Sequence, residues 1–150
     1  MVMLTQTNLF NLISQQINIQ NYLGSKLYDK STTIIENGDI DTAPFADYKL
    51  LLNEYVQPML IWFAQVDYLP FAAYQVKNGG VFKHTSENAE TVNKTEVDYL
   101  VEKARTHAEW YARRFIDYMC FNQSKFPEYT TNTNDDIYPS YDATFNGWVL

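Results

Sequence analysis

Apolar residues recur along this chain at helical spacing in three places. Leu9, Leu12, Ile13, Gln16 and Ile17 follow Thr5 at three- and four-residue steps, which predicts a first helix with Thr5 as its N-cap. Residues 21–28, around Gly24, read as a short helix or turn, and the polar run 36–43 reads as a loop. A second helix is expected from Pro44, with Phe45, Tyr48, Leu52, Tyr55, Met59, Phe63 and Val66 forming one stripe. Leu51, Leu60, Ile61 and Trp62 widen that stripe, so this helix should lie at the buried centre. Pro58 falls inside the pattern and predicts a kink, while Pro70 is expected to end the helix. The third helix is expected to start at Thr95, with Asp98 completing a capping pattern, and to run to about Asn122. Its stripe is Val97, Leu100, Ala104, Ala108, Tyr111, Phe115 and Tyr118. Glu109 and Arg113, four residues apart, are placed on its solvated side.

Between the second and third helices the period changes from 3.6 to 2. Residues 74–77 and 81–84 flank Asn78-Gly79-Gly80, whose glycines supply the positive φ of a tight turn, so a β-hairpin is expected near 73–85. Such a hairpin is marginal alone and should lean on the helices or on a neighbouring molecule. The fold class is therefore mainly α: a small helical bundle with one short β-hairpin. Residues 1–126 form the helical domain, and 127–150 form an extended aromatic C-terminal arm.

Composition sharpens the picture of that arm. The 150 residues include 12 Tyr, 9 Phe and 3 Trp, an aromatic content of 16%. Residues 127–150 hold Tyr129, Tyr138, Tyr141, Phe145 and Trp148 but no Lys or Arg. Their ordering entropy exceeds what these rings recover on the chain's own surface, so the arm is expected to be mobile alone and ordered against a partner. Tyr138, Tyr141, Phe145 and Trp148 are the expected partner-binding anchors.

The formal net charge is -7, which argues against a duplex-binding protein. One cysteine cannot form an internal disulfide, no apolar run reaches bilayer-spanning length, and residues 1–6 carry no basic group. The expectation is a soluble protein of a reduced compartment, with no membrane partner. Little in the sequence points to catalysis. His84 and His107 have no acidic or cysteine partner at fixed spacing, and zinc-ligand spacings are absent. Cys120, between Met119 and Phe121, reads as a small core residue. Gly79-Gly80 is too short for a phosphate loop, and Asp135-Asp136 reads as a solvated loop. Arg105, Arg113 and Arg114 read as a solvated face or as inter-subunit ion pairs. No catalytic residue, cofactor or metal is expected.

Several segments taken in order resemble a known group. These are Leu23-Gly24-x-x-Leu27-Tyr28, residues 55–60, residues 76–81 followed by 85–88, residues 108–118, and Asn122 with residues 126–129. Together they are similar to the small helical head–tail connector (adaptor or ring) proteins of tailed bacteriophages of Bacteroidota, including crAss-like phages. The likeness covers roughly residues 4–130, and it departs at Gly79-Gly80, where such families have Lys-Gly. The resemblance implies a structural virion protein at the neck, assembled in the host bacterial cytoplasm. It implies a twelve-subunit homo-oligomeric ring that meets the portal protein and neighbouring neck or tail rings. DNA would pass through without specific binding, and an acidic lining would let it slide. The C-terminal extension would reach toward the portal. The hairpin residues Lys77, Asn78, Gly79, Gly80, Val81 and Phe82 are the expected inter-subunit contact in such a ring. Two alternatives stand beside it: a helical adaptor without a ring, binding a phage or host protein through its arm, and an enzyme whose site is assembled from Tyr, Asp and His.

Overall fold

A computed structural model describes residues 9–72, 74–77, 80–83, 93–131 and 136–142. The chain is mainly helical. α1 (Leu9–Ser14) passes through a π-helical segment, Gln15–Ile19, into α2 (Gln20–Leu23). Gly24 breaks the path, and α3 follows (Ser25–Glu36). Gly38, at φ +75°, then donates its N–H to the carbonyl of Ile35 and closes the helix in the left-handed conformation that glycine tolerates.

After two 3-10 turns, Asp39–Asp41 and Ala43–Phe45, the chain enters α4 (Ala46–Leu51). A second π-helical segment, Leu52–Val56, joins α4 to α5 (Gln57–Ala72). The strands β1 (Tyr74–Lys77) and β2 (Gly80–Lys83) pair antiparallel, with Lys77 opposite Gly80 and Gln75 opposite Phe82. α6 (Lys94–Phe121) is the longest element; a 3-10 turn, Gln123–Lys125, leads to α7 (Pro127–Thr130).

α5 and α6 run antiparallel and form the centre. Tyr55 stacks on Tyr118 with ring centroids 4.1 Å apart, and Trp62 meets His107 at 4.5 Å, so contacts pair in opposite chain order. Ala104, Ala108 and Ala112 are buried at four-residue steps, and these small side chains let α5 approach closely. Leu27, Leu51, Val56, Met59, Phe115, Met119 and Phe126 are fully enclosed around them. Each large side chain so buried contributes about 1.5–3 kcal/mol.

Several expectations are corrected. The first helix does not bury the expected stripe: Ser14, Gln15, Asn18 and Ile19 are buried, and Tyr22 and Leu23 continue the same face at four-residue steps, while Gln16 and Ile17 point outward. Residues 25–36, of which only the start was read as helical, form three turns of helix. Pro70 does not stop α5, which continues to Ala72; so near the helix end it costs a single ladder bond. The second helix is not buried throughout, since Tyr68 and Phe71 face outward beyond Ala64. The cap of α6 is Asn93, whose side chain accepts from the Glu96 N–H while Glu96 accepts from the Asn93 N–H; Thr95 lies inside the helix. Cys120 is exposed.

Candidate interaction surface

Breaking a helix leaves carbonyls orphaned at one end and amides at the next start. Here Gly24 makes such a break, and residues 136–142 fill it. The Ser25 N–H donates to the carbonyl of Ile137 at 3.0 Å, and the Ile137 N–H donates back to Ser25 Oγ at 3.0 Å. The Ser140 N–H donates to the carbonyl of Asn21 at 2.8 Å. Pro139 lies buried over Gly24, where a Cβ would stand only 2.8 Å from the proline Cδ and Cγ. Glycine is required there twice, for its φ of +77° and for the closeness of the proline ring.

Part of the segment expected to form the arm packs on the chain's own helices. α7 is pinned to α3 by Lys26, whose Nζ donates to the carbonyl and to Oγ1 of Thr131. Tyr129, assigned to the arm from sequence, is only 1% exposed and meets Phe115 edge-on at 6.2 Å. The first part of the arm thus packs on its own chain. What stays outward are two rings. Tyr138 is 65% exposed and Tyr141 61%, the latter resting one edge on Tyr129 at 5.8 Å. Phe145 and Trp148 lie outside the described residues.

Of the hairpin residues expected at an inter-subunit contact, Lys77, Gly80, Val81 and Phe82 fall in the paired strands, whereas Asn78 and Gly79 lie outside the described residues, as do His84 and Asp135. His107 is exposed beside Trp62. Arg114 is not on a free solvated face: its guanidinium lies over the Tyr55 ring at 4.6 Å, and Nη1 donates to the carbonyl of Glu54 at 3.0 Å. Arg105 pairs with Glu102 at 2.9 Å on its own helix. Among the described residues no cluster of three or more His, Cys, Asp or Glu could hold a metal ion, and no helix is long and apolar enough to cross a membrane.

Electrostatics around the arm favour neutral phenols. Burial pushes the Tyr22 hydroxyl up to about 12, and the carboxylates of Glu109 and Asp142 add to it. Burial likewise raises Tyr129, with Tyr141 and Cys120 adding to it. Tyr48 is raised by burial and by donating to Glu128 Oε2 at 2.7 Å. None of these phenols is poised to lose a proton near neutral pH. Together with Tyr138 and Tyr141, the geometry offers a presented contact surface.

The cradle residues Asn21, Gly24 and Ser25 were not singled out as a site from sequence. Their signal was a lone glycine between two helical patterns, which reads equally as any turn. Pro139, more than a hundred positions away, gives no local sign that it seats there.

No curated protein and no solved structure matches this chain. One family model does, over residues 19–142, a span that takes in both the cradle and the docked part of the arm; its description is "Family of unknown function (DUF6712)". The chain belongs to the DUF6712 family.

Proposed function

We propose that this chain is a structural assembly protein, a neck-ring subunit that bridges portal and tail in a tailed phage and surrounds a passage for DNA. The observation that carries the reading is the pair Tyr138 and Tyr141: their backbone is fixed on the chain's own helices while both rings face outward. Rings held in place lose little further entropy on binding, which suits them as interface anchors. Trp110 and Phe121 on α6 and Ile61, Tyr68 and Phe71 on α5 are also exposed, spreading apolar contact over more than one side. A subunit in a ring with further rings stacked on it needs contacts on several sides. The helical body, the hairpin formed by β1 and β2, and the arm would then serve as body, neighbour contact and portal contact. The role is non-enzymatic and needs no cofactor.

The test is capture by the portal. Tyr138→Ala with Tyr141→Ala removes two exposed rings and the edge contact of Tyr141 on Tyr129, so helicity should hold with a small drop in thermal stability, while capture falls by about tenfold or more. Micrographs of the unaltered mixture should show a closed ring seated on the portal. Unchanged capture by the double variant would remove the arm from the interface, and capture without a closed ring would favour a non-ring adaptor.

A further inference from the structure

The seam between α5 and α6 is aromatic and open to solvent along one side. Tyr55 stacks on Tyr118 and Trp62 meets His107; His107 is exposed and the other three are half-buried. Trp110, 57% exposed, meets the half-buried Tyr111 edge-on at 4.9 Å, and Leu100, 45% exposed, stands seven residues before His107. Rings packed on one another are already held in place, which lowers the entropy lost when a partner binds.

The charge on this side is opposite to that of the whole chain. Leu100, His107 and Arg114 share one side of α6 at seven-residue steps, with Lys103 one turn before His107. Asp98, Glu102 and Glu109 recur at four- and seven-residue steps on the other side of that helix, and the exposed Asp117 lies on its outward face, four residues from Arg113. α5 carries a single charge, Asp67, to which Ser14 on α1 donates. The seam is thus apolar and cationic in a chain whose formal net charge is -7.

The same chain carries the complement. Residues 36–47 hold Glu36, Asp39, Asp41 and Asp47 with no Lys or Arg, beside the apolar Ile40 and Phe45. Asp41 is paired with Lys49 at 2.5 Å and Asp47 with Lys125 at 3.6 Å, whereas Glu36 and Asp39 have no ion pair among the described residues. Lys103, whose Nζ lies over the Tyr99 ring at 5.6 Å, likewise has no ion pair among them. The Lys125 contact ties the acidic turn to the C-terminal end of α6, and Lys103 lies about 27 Å back along that helix from Phe121. Within one copy the two patches stand at different ends and do not meet.

We propose that the acidic turn 36–47 of one copy docks on the α5–α6 seam of another, with Glu36 and Asp39 set against Lys103 and Arg114 and with Trp110 as the apolar anchor. This contact rests on the neck-ring reading, whose copies it joins. Two different patches meet, so the association runs head-to-tail, the arrangement that closes rings. Opposite charge steers the encounter and fixes the register, while the aromatic seam supplies the buried area.

Sedimentation equilibrium of the full chain without the portal tests it. The unaltered chain should self-associate at about micromolar concentration in low salt and more weakly in high salt. Lys103→Glu, Glu36→Lys with Asp39→Lys, and Trp110→Ala change side chains outside the core, so helicity should hold while each weakens association by about tenfold or more. An equimolar mixture of Lys103→Glu with the Glu36→Lys and Asp39→Lys variant should recover it, since the reversed seam then meets the reversed turn and the unaltered seam the unaltered turn. The contact is overturned if the unaltered chain stays monomeric at about 100 μM, if the mixture associates no better than either variant alone, or if Trp110→Ala associates as the unaltered chain does. Recovery in the mixture without a closed ring on the portal would keep the contact and remove the ring. A closed ring without recovery would remove the contact and keep the ring.

Discussion

Arg114 on α6 donates to the carbonyl of Glu54 at 3.0 Å, and Glu54 is the residue whose regular helical partner would be the missing N–H of Pro58. Proline removes one donor from the ladder between α4 and α5, and the neighbouring helix supplies another. The preceding π segment fits the same accommodation: Gln57 donates to Leu52, five residues back, just before the proline. Arg114 also spreads over Tyr55, which in turn stacks on Tyr118, so one side chain ties the π segment before Pro58 to α6.

Arg114→Met should therefore cost about 1–3 kcal/mol, through a lost charge-assisted hydrogen bond and a lost cation–π contact. In a Pro58→Ala background an N–H is available to Glu54, and the same substitution should cost less. A double-mutant cycle in urea measures the coupling; strict additivity would show that Arg114 does not answer for the proline.

Gly24→Ala probes the cradle. Alanine must take a φ of +77° and place its Cβ against Pro139, so an expected loss of about 1–3 kcal/mol should come with release of the arm. Pro139→Ala removes the steric part and leaves the backbone strain, so Gly24→Ala should be milder in that background without becoming neutral. Thermal unfolding reads the stability, and amide exchange at Ile137 and Ser140 reads the arm. Should both amides already exchange freely in the unaltered chain, the docked arm itself would be in question.

The difference between what the sequence discloses and what it hides follows from the range of each interaction. The stripe Tyr48, Leu52, Met59 and Phe63 is legible because the second helical stretch keeps one apolar face from α4 into α5, and these residues are buried. Ala104, Ala108 and Phe115 are legible on α6 for the same reason. Ile17 is misread because the face turned inward begins with the polar Ser14, Gln15 and Asn18, with Ser14 bonded to Asp67 on α5, and buried polar residues leave no apolar signal in the sequence. The start of α6 offers two overlapping capping patterns, Asn93 with Glu96 and Thr95 with Asp98, and the chain takes the earlier. Tyr129 is misread because Phe126-Pro127 looks like the end of helical structure, whereas Pro127 opens one more turn that carries Tyr129 into the core. The cradle joins residues such as Ser25 and Ile137, and no local pattern encodes contacts of that separation.

Alkaline titration tests the buried phenols. Tyr22 is pushed up to about 12, and Tyr28, Tyr48, Tyr118 and Tyr129 are also raised above the ordinary value of 10.0, each with burial as the leading cause. The folded chain holds these protons more tightly than the unfolded one. Their contribution to stability is therefore complete below the unfolded value and is lost as pH climbs through the folded values. Tm should be insensitive to these groups up to about pH 9 and fall steeply above about pH 10. Tyrosinate absorbance from the buried set should appear late in the titration, together with unfolding. Tyr22→Phe removes one of the strongly raised groups, so its alkaline decline should be shallower than that of the unaltered chain. An identical slope would mean that Tyr22 ionises as freely in the folded chain as in the unfolded one, and that neither its burial nor the carboxylates of Glu109 and Asp142 bear on its hydroxyl.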